Sequence, residues 1–550
     1  MTTLTHETPR ASAADRGSRR DLAGTGTLLR LALRRDRVMI PAWVLLLSLA
    51  VVQTATALDQ FYDSAADRAG LARSMNGNGS MRALYGPVFG DSLGALTAWR
   101  MLAFGTALTA IMSLTIVVRH TREEEETGRQ ELLSSAMVGR RAPLTAALLA
   151  AGIANAAVAA LTALGLVAVG LPGTGSLTMG LALGCTGLAF AAVAAIAAQL
   201  TESARLAKGL TGAVLGAAFI LRAAGDARQS AAQEGSSALT WLSPLGWAEN
   251  LRPFADERFA ALLSTLALCA AATAAAYGLA GRRDVGASFL ATRPGPAAGR
   301  IGGPYGLAWR LQRGSLFGWA AGFALAGLVF GGVAEGAADL VGDNEQAREV
   351  FERMGGARGL TDAFLAALAG LFGMVAAVYS AGAVLRMRGE ETSERAEPVL
   401  AGAVPRLSWT AGHLLFAFAG AAVLLGASGL TMGLSYGLAA GDPGAVWRVT
   451  GAVLAQAPAV WVLTGVTVLL FGALPAASAT AWGLVGAALA LGWLGPALDL
   501  PQEVMNLTPF SHLPKLPGGE ATAGPYLWML LLAAGLTAAG LAAFRRRDIG

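Results

Sequence analysis

Two short clusters of charged residues carry the side chains of this sequence that could do chemistry. The second cluster repeats the pattern of the first 266 residues later, so that Arg129 is matched by Arg395 and Glu131 by Glu397. The first comprises Glu123, Glu124, Glu125, Glu126, Arg129, Glu131 and Arg140, and the second comprises Glu390, Glu391, Arg395, Glu397 and Arg406. A single charged loop is typical of a solvated turn, but its repetition predicts two copies of a docking surface.

Neither cluster has the pattern of a catalytic or metal site. Successive residues of a helix differ in direction by about 100°, so the four adjacent glutamates radiate from the helix instead of converging on one ion. The four histidines have no metal-ligand spacing, and both cysteines lie inside apolar runs. We therefore predict no catalytic residue, no metal and no cofactor on this chain.

The sequence also lacks a phosphate-binding loop for a nucleotide. Such a loop has the pattern Gly-x-x-x-x-Gly-Lys-Ser/Thr, in which the lysine contacts the phosphates. Lys208 and Lys515 are the two lysines of the chain, and neither follows a glycine-rich turn. If ATP drives this protein, another chain must hydrolyse it.

The composition identifies the protein as a membrane protein made of helices. Of its 550 residues, 54% are hydrophobic and 14% are charged, whereas a soluble domain has roughly 25% charged residues. The mean hydropathy is +0.53. Several apolar runs reach the roughly 20 residues that a helix needs to cross a bilayer. We predict an all-α polytopic membrane protein.

Twelve membrane spans are expected in two sets of six. They lie at 38–58, 99–118, 144–170, 177–200, 206–221, 259–280, 316–333, 363–385, 409–438, 446–471, 479–494 and 526–544. The predicted domains are a cytoplasmic N-terminus (1–37), a first repeat (38–280), a basic linker (281–315) and a second repeat (316–550). The N-terminus has no apolar core before a cleavage site, so the first span is expected to direct insertion.

The duplication extends beyond the charged clusters. The segment 282–284 is repeated at 546–548, and 242–244 resembles 507–509 at a shift of 265. Because each repeat contains an even number of spans, the two repeats should have parallel topology. Basic residues gather at the N-terminus, both charged clusters, the linker and the C-terminus, which predicts that both termini are cytoplasmic.

The charged clusters resemble a motif of a known transporter family. Residues 124–133, followed by Val138, Gly139 and Arg140, look like the segment after the second span of type-2 ABC exporter permeases. The topology is similar to that of actinobacterial permeases for polyketide or tetronasin-type antibiotics. In that family, this segment is a coupling helix that docks on a separate ATPase. The resemblance therefore implies coupling helices at 123–135 and 390–401, the second shortened by Pro398.

The resemblance also implies the partners and the cargo. A fused twelve-span chain would bind two copies of a separate ATPase, which would carry the ATP and Mg²⁺. We expect no nucleic acid partner. Amphipathic helices lying in the membrane interface are predicted before each repeat. Their basic residues are Arg30, Arg34 and Arg37 in the first and Arg310 and Arg313 in the second.

The resulting interpretation is the permease subunit of an exporter in the plasma membrane, moving amphipathic or hydrophobic, antibiotic-like compounds outward. The main alternative is an ion-driven secondary transporter. Such a protein needs ionisable groups at mid-membrane depth, but Glu202, Arg222, Glu335 and Asp499 all fall at span ends, where we expect solvated side chains. A lipid-modifying membrane enzyme using the adjacent carboxylates is a weaker alternative.

Overall fold

The computed structural model describes residues 21–77, 79–134, 138–228, 236–284, 286–290, 299, 301–334, 359–495 and 501–548. Its regular elements within these ranges are all helices, which confirms the predicted fold class. The chain divides into two compact units, Met1–Pro294 and Gly295–Gly550. The division falls inside the segment predicted as a linker.

Unit 1 contains thirteen helices within the described ranges. They are α1 (Thr25–Arg35), α2 (Met39–Phe61), α3 (Ala65–Gly77), α4 (Gly79–Tyr85), α5 (Leu93–Arg119), α6 (Arg122–Glu126), α7 (Arg129–Ser134), α8 (Ala142–Ala168), α9 (Gly173–Leu200), α10 (Ala204–Arg228), α11 (Ala238–Trp241), α12 (Pro244–Glu249) and α13 (Ala261–Ala280). The long members are the apolar ones, and the short members connect them.

Unit 2 contains nine α-helices and two short 3₁₀ helices within the described ranges. The α-helices are α14 (Pro304–Ala334), α15 (Leu360–Thr392), α16 (Ala396–Leu400), α17 (Arg406–Ala440), α18 (Ala445–Leu454), α19 (Ala457–Ala473), α20 (Thr480–Leu494), α21 (Gln502–Met505) and α22 (Ala523–Arg546). The 3₁₀ helices are Pro475–Ala477 and Pro509–His512.

Eleven helical segments in the described part of the chain are long and apolar enough to cross a bilayer. The twelfth predicted span corresponds to α20, which has 15 residues. At 1.5 Å per residue, α20 extends about 22 Å and is shorter than the roughly 30 Å hydrocarbon core. Within the described residues, each unit therefore has six apolar helical segments that correspond to the predicted spans. The fifth segment of unit 2, α20, is the short one.

The two units repeat the same packing order. The first span contacts the third (α2 on α8, α14 on α17), and the second contacts the fourth (α5 on α9, α15 on α19). The fourth span also contacts the last (α9 on α13, α19 on α22). This recurrence of neighbours agrees with the duplication inferred from the sequence.

Small residues allow the close approach of the central helices. A Cβ atom at Gly180 of α9 would lie 2.3 Å from the carbonyl oxygen of Ala159 in α8, so only glycine fits there. Nearby, the buried Asn155 donates a hydrogen bond of 2.8 Å to the hydroxyl of Ser113 in α5. Membrane helices commonly combine small residues with interhelical hydrogen bonds because apolar burial gives little driving force within lipid.

Two predicted elements differ from the structure. The second interfacial helix was expected to be separate from the seventh span, but α14 runs through both without a break. No proline or glycine pair interrupts the segment 307–313. The tenth span was expected to be one helix, but it is divided into α18 and α19 at residues 455–456. Pro458 follows this division and cannot donate the backbone hydrogen bond that a continuous helix requires.

Candidate functional site

Both charged clusters contain a break at the equivalent residue. Gly128, between α6 and α7, has φ of 72°, and Glu394, between α15 and α16, has φ of 58°. The N–H of Gly128 donates to the carbonyl of Glu125 at 3.0 Å, and the N–H of Glu394 donates to that of Glu391 at 2.9 Å. The left-handed conformation is therefore retained although a side chain has replaced glycine, at a cost of about 1 kcal/mol.

The prediction of single coupling helices at 123–135 and 390–401 is wrong. The first predicted coupling helix consists of two short helices, α6 and α7, and residue 135 lies outside the described ranges. The second consists of the end of α15 followed by α16. The break separates Glu125 from Arg129, and these residues pair with Arg283 and Glu124, respectively. We call these two segments, 119–134 and 386–400, the first and second hinge.

Pro398 does not interrupt a helix interior as expected. It is the third residue of α16, in the first turn, where no intrahelical partner exists for the backbone N–H. The helix α16 has five residues, and its counterpart α7 has six. The second segment is therefore slightly shorter, but the left-handed residue before it, and not the proline, ends the preceding helix.

Glu125 lies in a buried group of ion pairs at the first hinge. Its carboxylate accepts hydrogen bonds from Arg122 at 2.8 Å and from both terminal nitrogens of Arg283, at 2.6 and 2.9 Å. Arg140 donates to the backbone carbonyl of Arg283 at 2.7 Å. The side chain of Glu125 is 9% exposed. These four residues, which we call the first clamp, join the second span to the segment after the sixth.

The second hinge contains the same arrangement. The carboxylate of Glu391 accepts from Arg388 at 3.1 Å and from Arg547 at 2.6 Å, and its side chain is 4% exposed. Arg406 donates to the backbone carbonyl of Arg547 at 2.8 Å. All four members of this second clamp occupy the positions that the repeat assigns to members of the first. Two residues predicted to face a partner, Glu125 and Glu391, therefore face the interior of their own unit. Two others, Arg140 and Arg406, bond to the backbone of their own unit, although Arg140 is exposed.

The other three of the four adjacent glutamates contact α10 and α1. Glu123 pairs with Lys208 of α10 at 3.3 Å, and the carboxylate of Glu126 accepts from the N–H of Ala204 at 3.0 Å. Glu124 contacts Arg35 of α1, and Arg129 lies 3.6 Å from it. The four carboxylates radiate as predicted.

The residues beyond each break remain on the surface. Arg129 and Glu131 are exposed on α7, and their counterparts Arg395 and Glu397 are exposed beside and on α16. Glu390 instead pairs with Arg386 one turn earlier at 3.5 Å. The surface that both hinges present in common therefore contains one arginine and one glutamate two residues apart.

The first interfacial helix, α1, is tied to the first hinge. The buried carboxylate of Asp36 lies 2.6 Å from the Nε2 of His120 and 3.2 Å from the Nε of Arg119. The basic residues predicted to face lipid headgroups are exposed, namely Arg30, Arg34, Arg37, Arg310 and Arg313. A displacement of the hinge would be transmitted directly to α1 through these ion pairs.

Sequence reasoning missed a buried ionic cluster at the opposite end of unit 1. Arg222 was expected to be solvated, but its side chain is 1% exposed and lies 3.0 Å from Asp226 and 3.5 Å from Glu249. Arg222 also donates to the carbonyls of Ala83 and Leu84. Burial, together with the charge of Asp226, raises the pKa of Glu249 well above its usual value. Glu335 and Asp499 lie outside the described ranges.

The residues that complete the clamps were also missed as functional residues. Arg283 and Arg547 belong to the repeated segments 282–284 and 546–548, which the sequence comparison used only as evidence for duplication. The available signal was that each arginine follows its hinge at a similar distance along the chain, 158 residues after Glu125 and 156 residues after Glu391. A duplicated arginine near a duplicated glutamate predicts an ion pair only when the fold brings the ends of the second and sixth spans together.

Comparisons with known proteins agree with a transport function. A family model described as the C-terminal domain of the multidrug efflux system permease Rv1217c matches residues 301–545. The chain is 48% identical over 542 residues to the multidrug efflux system permease protein Rv1217c of Mycobacterium tuberculosis. The alignment covers 98% of this chain and 97% of the relative. The similarity thus includes both units and both hinges.

Replacing Glu125 with Gln should destabilise the protein by about 3 kcal/mol, because two arginines then face each other without a buried countercharge. Glu391→Gln should have a similar effect in unit 2. The measurement is thermal unfolding of the purified chain in detergent, with Glu131→Gln as an exposed control that changes stability by less than about 0.5 kcal/mol. Additive effects of Glu125→Gln and Arg283→Gln in a double-mutant cycle would show that the ion pair contributes nothing.

Substitutions at the two breaks should change the stability of the protein in opposite directions. Glu394→Gly should stabilise by about 0.5–1 kcal/mol, and Gly128→Ala should destabilise by about 1 kcal/mol, because only glycine adopts positive φ without steric cost. A Cβ at Gly128 meets no atom within 4 Å, so conformation alone decides the result. Gly209→Ala, in the interior of α10 with equally open space, is the control and should not destabilise.

The stability of unit 1 should depend on pH through Glu249. Its raised pKa favours the protonated carboxyl in the folded state. The stabilisation is therefore fully present below the ordinary pKa of 4.5 and is lost as pH rises through the raised value. Melting temperatures measured from about pH 5 to about pH 8 should fall more steeply for the wild type than for Glu249→Gln. Parallel curves would contradict this assignment.

Proposed function

Because the chain belongs to the family of multidrug efflux system permeases, we propose that it is the membrane-spanning subunit of an ATP-driven exporter. In this proposal, the chain moves amphipathic or hydrophobic compounds out across the plasma membrane, and a separate ABC ATPase supplies the energy. The observation that carries the proposal is the near full-length similarity to an efflux permease. The duplicated hinges supply the place where the ATPase would act.

The geometry of the hinges supports docking beyond each break. Glu125 and Glu391 are buried in ion pairs within the clamps. The residues exposed beyond the breaks are Arg129 and Glu131 in unit 1 and Arg395 and Glu397 in unit 2. An arginine and a glutamate two residues apart can pair with complementary charges on a partner and thereby fix its register. Two equivalent surfaces on one chain correspond to two ATPase subunits.

The sequence supports the proposal that a separate chain hydrolyses ATP. The chain has no glycine-rich loop with the lysine that a phosphate-binding loop requires. ATP and Mg²⁺ would therefore be bound by the partner ATPase. Closure of two ATPase subunits on ATP would displace α7 and α16, and the clamps would transmit that displacement to the second and sixth spans of each unit.

The proposed orientation places the hinges on the cytoplasmic side. The exposed arginines of α1 precede the first span, whereas the arginines of both hinges and Arg545 and Arg546 follow the second span of a unit or end the last. With six spans in each repeat, all of them would lie on one side of the membrane. Positive residues are retained on the cytoplasmic side during insertion. Both termini would then be cytoplasmic.

The cargo is proposed at the level of chemical class. The relative is named as a multidrug efflux permease, which supports export of more than one hydrophobic compound. The finer resemblance to exporters of polyketide or tetronasin-type antibiotics stays a prediction, and it would be tested by the range of compounds transported.

The ion-driven alternative has one observation in its favour, the buried carboxylates of Asp226 and Glu249. Arg222 lies between them and compensates one negative charge, and it also donates to the backbone carbonyls of Ala83 and Leu84 in α4. These contacts connect α4, α10 and α12, as expected of a structural link. We therefore retain the ATP-driven proposal.

Charge reversal at the exposed hinge residues should weaken ATPase docking. Arg129→Glu combined with Arg395→Glu should lower recovery of the ATPase with the tagged chain about tenfold, a change of about 1.4 kcal/mol, because attraction becomes repulsion at both surfaces. The measurement is pull-down from native membranes, with the partner identified by mass spectrometry through its phosphate-binding loop. The purified chain alone should hydrolyse no Mg-ATP.

The control for this experiment is Arg258→Glu, an exposed arginine just before α13 at the end of unit 1 remote from the hinge. It should leave recovery of the ATPase unchanged. Unchanged recovery with the double hinge variant would reject docking at α7 and α16, and ATP hydrolysis by the chain alone would reject the separate ATPase.

A further inference from the structure

Unit 2 contains a large cavity at the end of its helices remote from the hinge. It lies between the first half of α15, the division between α18 and α19, the end of α20 and the segment 501–515, and its volume is about 530 Å³. Pockets that bind drug-sized molecules have volumes of about 300–1,000 Å³. The cavity therefore has room for a compound of that size.

The walls of the cavity are mainly apolar and aromatic. Met374, Trp493, Met505 and Phe510 contribute large polarisable surfaces to it. Methionine side chains adapt their shape to different ligands, because they are unbranched and flexible. Such a lining suits compounds that share hydrophobicity more than a fixed shape.

Polar side chains form a substantial part of the lining. Gln456, which is 5% exposed, contributes from the division between α18 and α19. Gln502, which is exposed, contributes from the segment 501–515. Their side-chain amides can donate hydrogen bonds to a ligand. Irregular backbone within a membrane helix is tolerated where it lines such a cavity.

The corresponding region of unit 1 is filled. At the repeat shift of 265, Met505 replaces Thr240 and Pro514 replaces Glu249. In unit 1, Thr240 donates to Asp226 at 2.8 Å, and Glu249 belongs to the buried ionic cluster. The pocket beside that cluster has a volume of about 20 Å³. The polar residues of the ionic cluster in unit 1 are thus matched in unit 2 by Met505 and Pro514, which line a larger cavity.

We propose that this cavity of unit 2 binds the transported compound, and that the preferred compounds are amphipathic molecules with an aromatic body and an anionic or hydrogen-bond-accepting group. Lys515 is the one side chain with a formal charge among the described residues that line the cavity, and its charge is positive. The side-chain amides of Gln456 and Gln502 supply donors. This assignment rests on the proposed export function and adds the place and class of its cargo.

The binding experiment uses 1-anilinonaphthalene-8-sulfonate, an anionic aromatic amphiphile, with the full chain in lipid nanodiscs. Energy transfer from tryptophan to the probe measures binding. Gly370→Phe should weaken binding at least about tenfold, because Gly370 lines the cavity and a side chain there enters open space. Gly486→Phe is the matched control, since Gly486 of α20 is equally unobstructed and does not line the cavity.

Two further variants separate ligand binding from folding. Gln502→Leu removes an amide of an exposed residue of the lining, so it should preserve the melting temperature and weaken the probe severalfold. Lys515→Gln should weaken the anionic probe and leave the binding of the cationic dye rhodamine 6G unchanged. Equal effects of Lys515→Gln on both dyes, or wild-type binding by both Gly370→Phe and Gln502→Leu, would overturn the proposal.

Export from cells distinguishes this proposal from the proposed function. If the wild type exports the probe and Gly370→Phe exports it equally well, the cavity is not the cargo site and the export function stands. If the wild type exports neither dye while Gly370→Phe still abolishes binding of the anionic probe, the cavity is a binding site and the export function fails. If Gly370→Phe loses both binding and export while Gly486→Phe keeps them, the result supports both the cargo site and the export function.

Discussion

The structure depends on the need to pair a buried carboxylate at each hinge. Glu125 and Glu391 lie at the ends of long apolar helices with little access to water. Leaving an ionised carboxylate there without partners would cost several kcal/mol. The pairing with Arg283 and Arg547 brings the end of the second span to the segment after the sixth span in each unit. This one requirement therefore determines where the end of the second span meets the segment after the sixth span in each unit.

The duplication has been kept more strictly at the hinges than at the other end of the units. Both hinges retain the ion pairs and even the left-handed residue, although Gly128 has become Glu394. At the remote end, the polar residues Thr240 and Glu249 are matched by Met505 and Pro514, and a filled ionic cluster is matched by a cavity. The hinges would each have to fit the same kind of partner, whereas the remote ends have diverged in shape and charge.

Much of the fold could be predicted from the sequence because the membrane imposes a simple rule on it. Apolar runs of about 20 residues give the helices, and the repeat gives their division into two sets. The breaks could not be predicted, since Glu394 offers no local reason for a positive φ and Gly128 alone is a weak signal. The prediction of a separate second interfacial helix was wrong, because amphipathic patterning does not indicate where one helix ends and another begins.

The ion pairs of the hinges could not be predicted from the sequence. The repeat identified the two charged segments, but it could not tell which glutamates are exposed and which face the interior. That distinction depends on Arg283 and Lys208, which lie 158 and 85 residues away from their partners along the chain. Arg222 was misjudged for the same reason, because its position at a span end suggested solvent, whereas the segment containing Glu249 folds back over it.

The breaks and the clamps together restrict how force could enter the membrane part. The exposed segment beyond each break is a helix of five or six residues joined to its span through one left-handed residue. Such a joint can bend, so a push on α7 or α16 alone would be absorbed locally. Glu125 and Glu391 lie on the membrane side of the joint and are held by several charge-assisted hydrogen bonds, which are short and directional. A partner would therefore have to press the docking segment against the clamp, and the second and sixth spans would then move together.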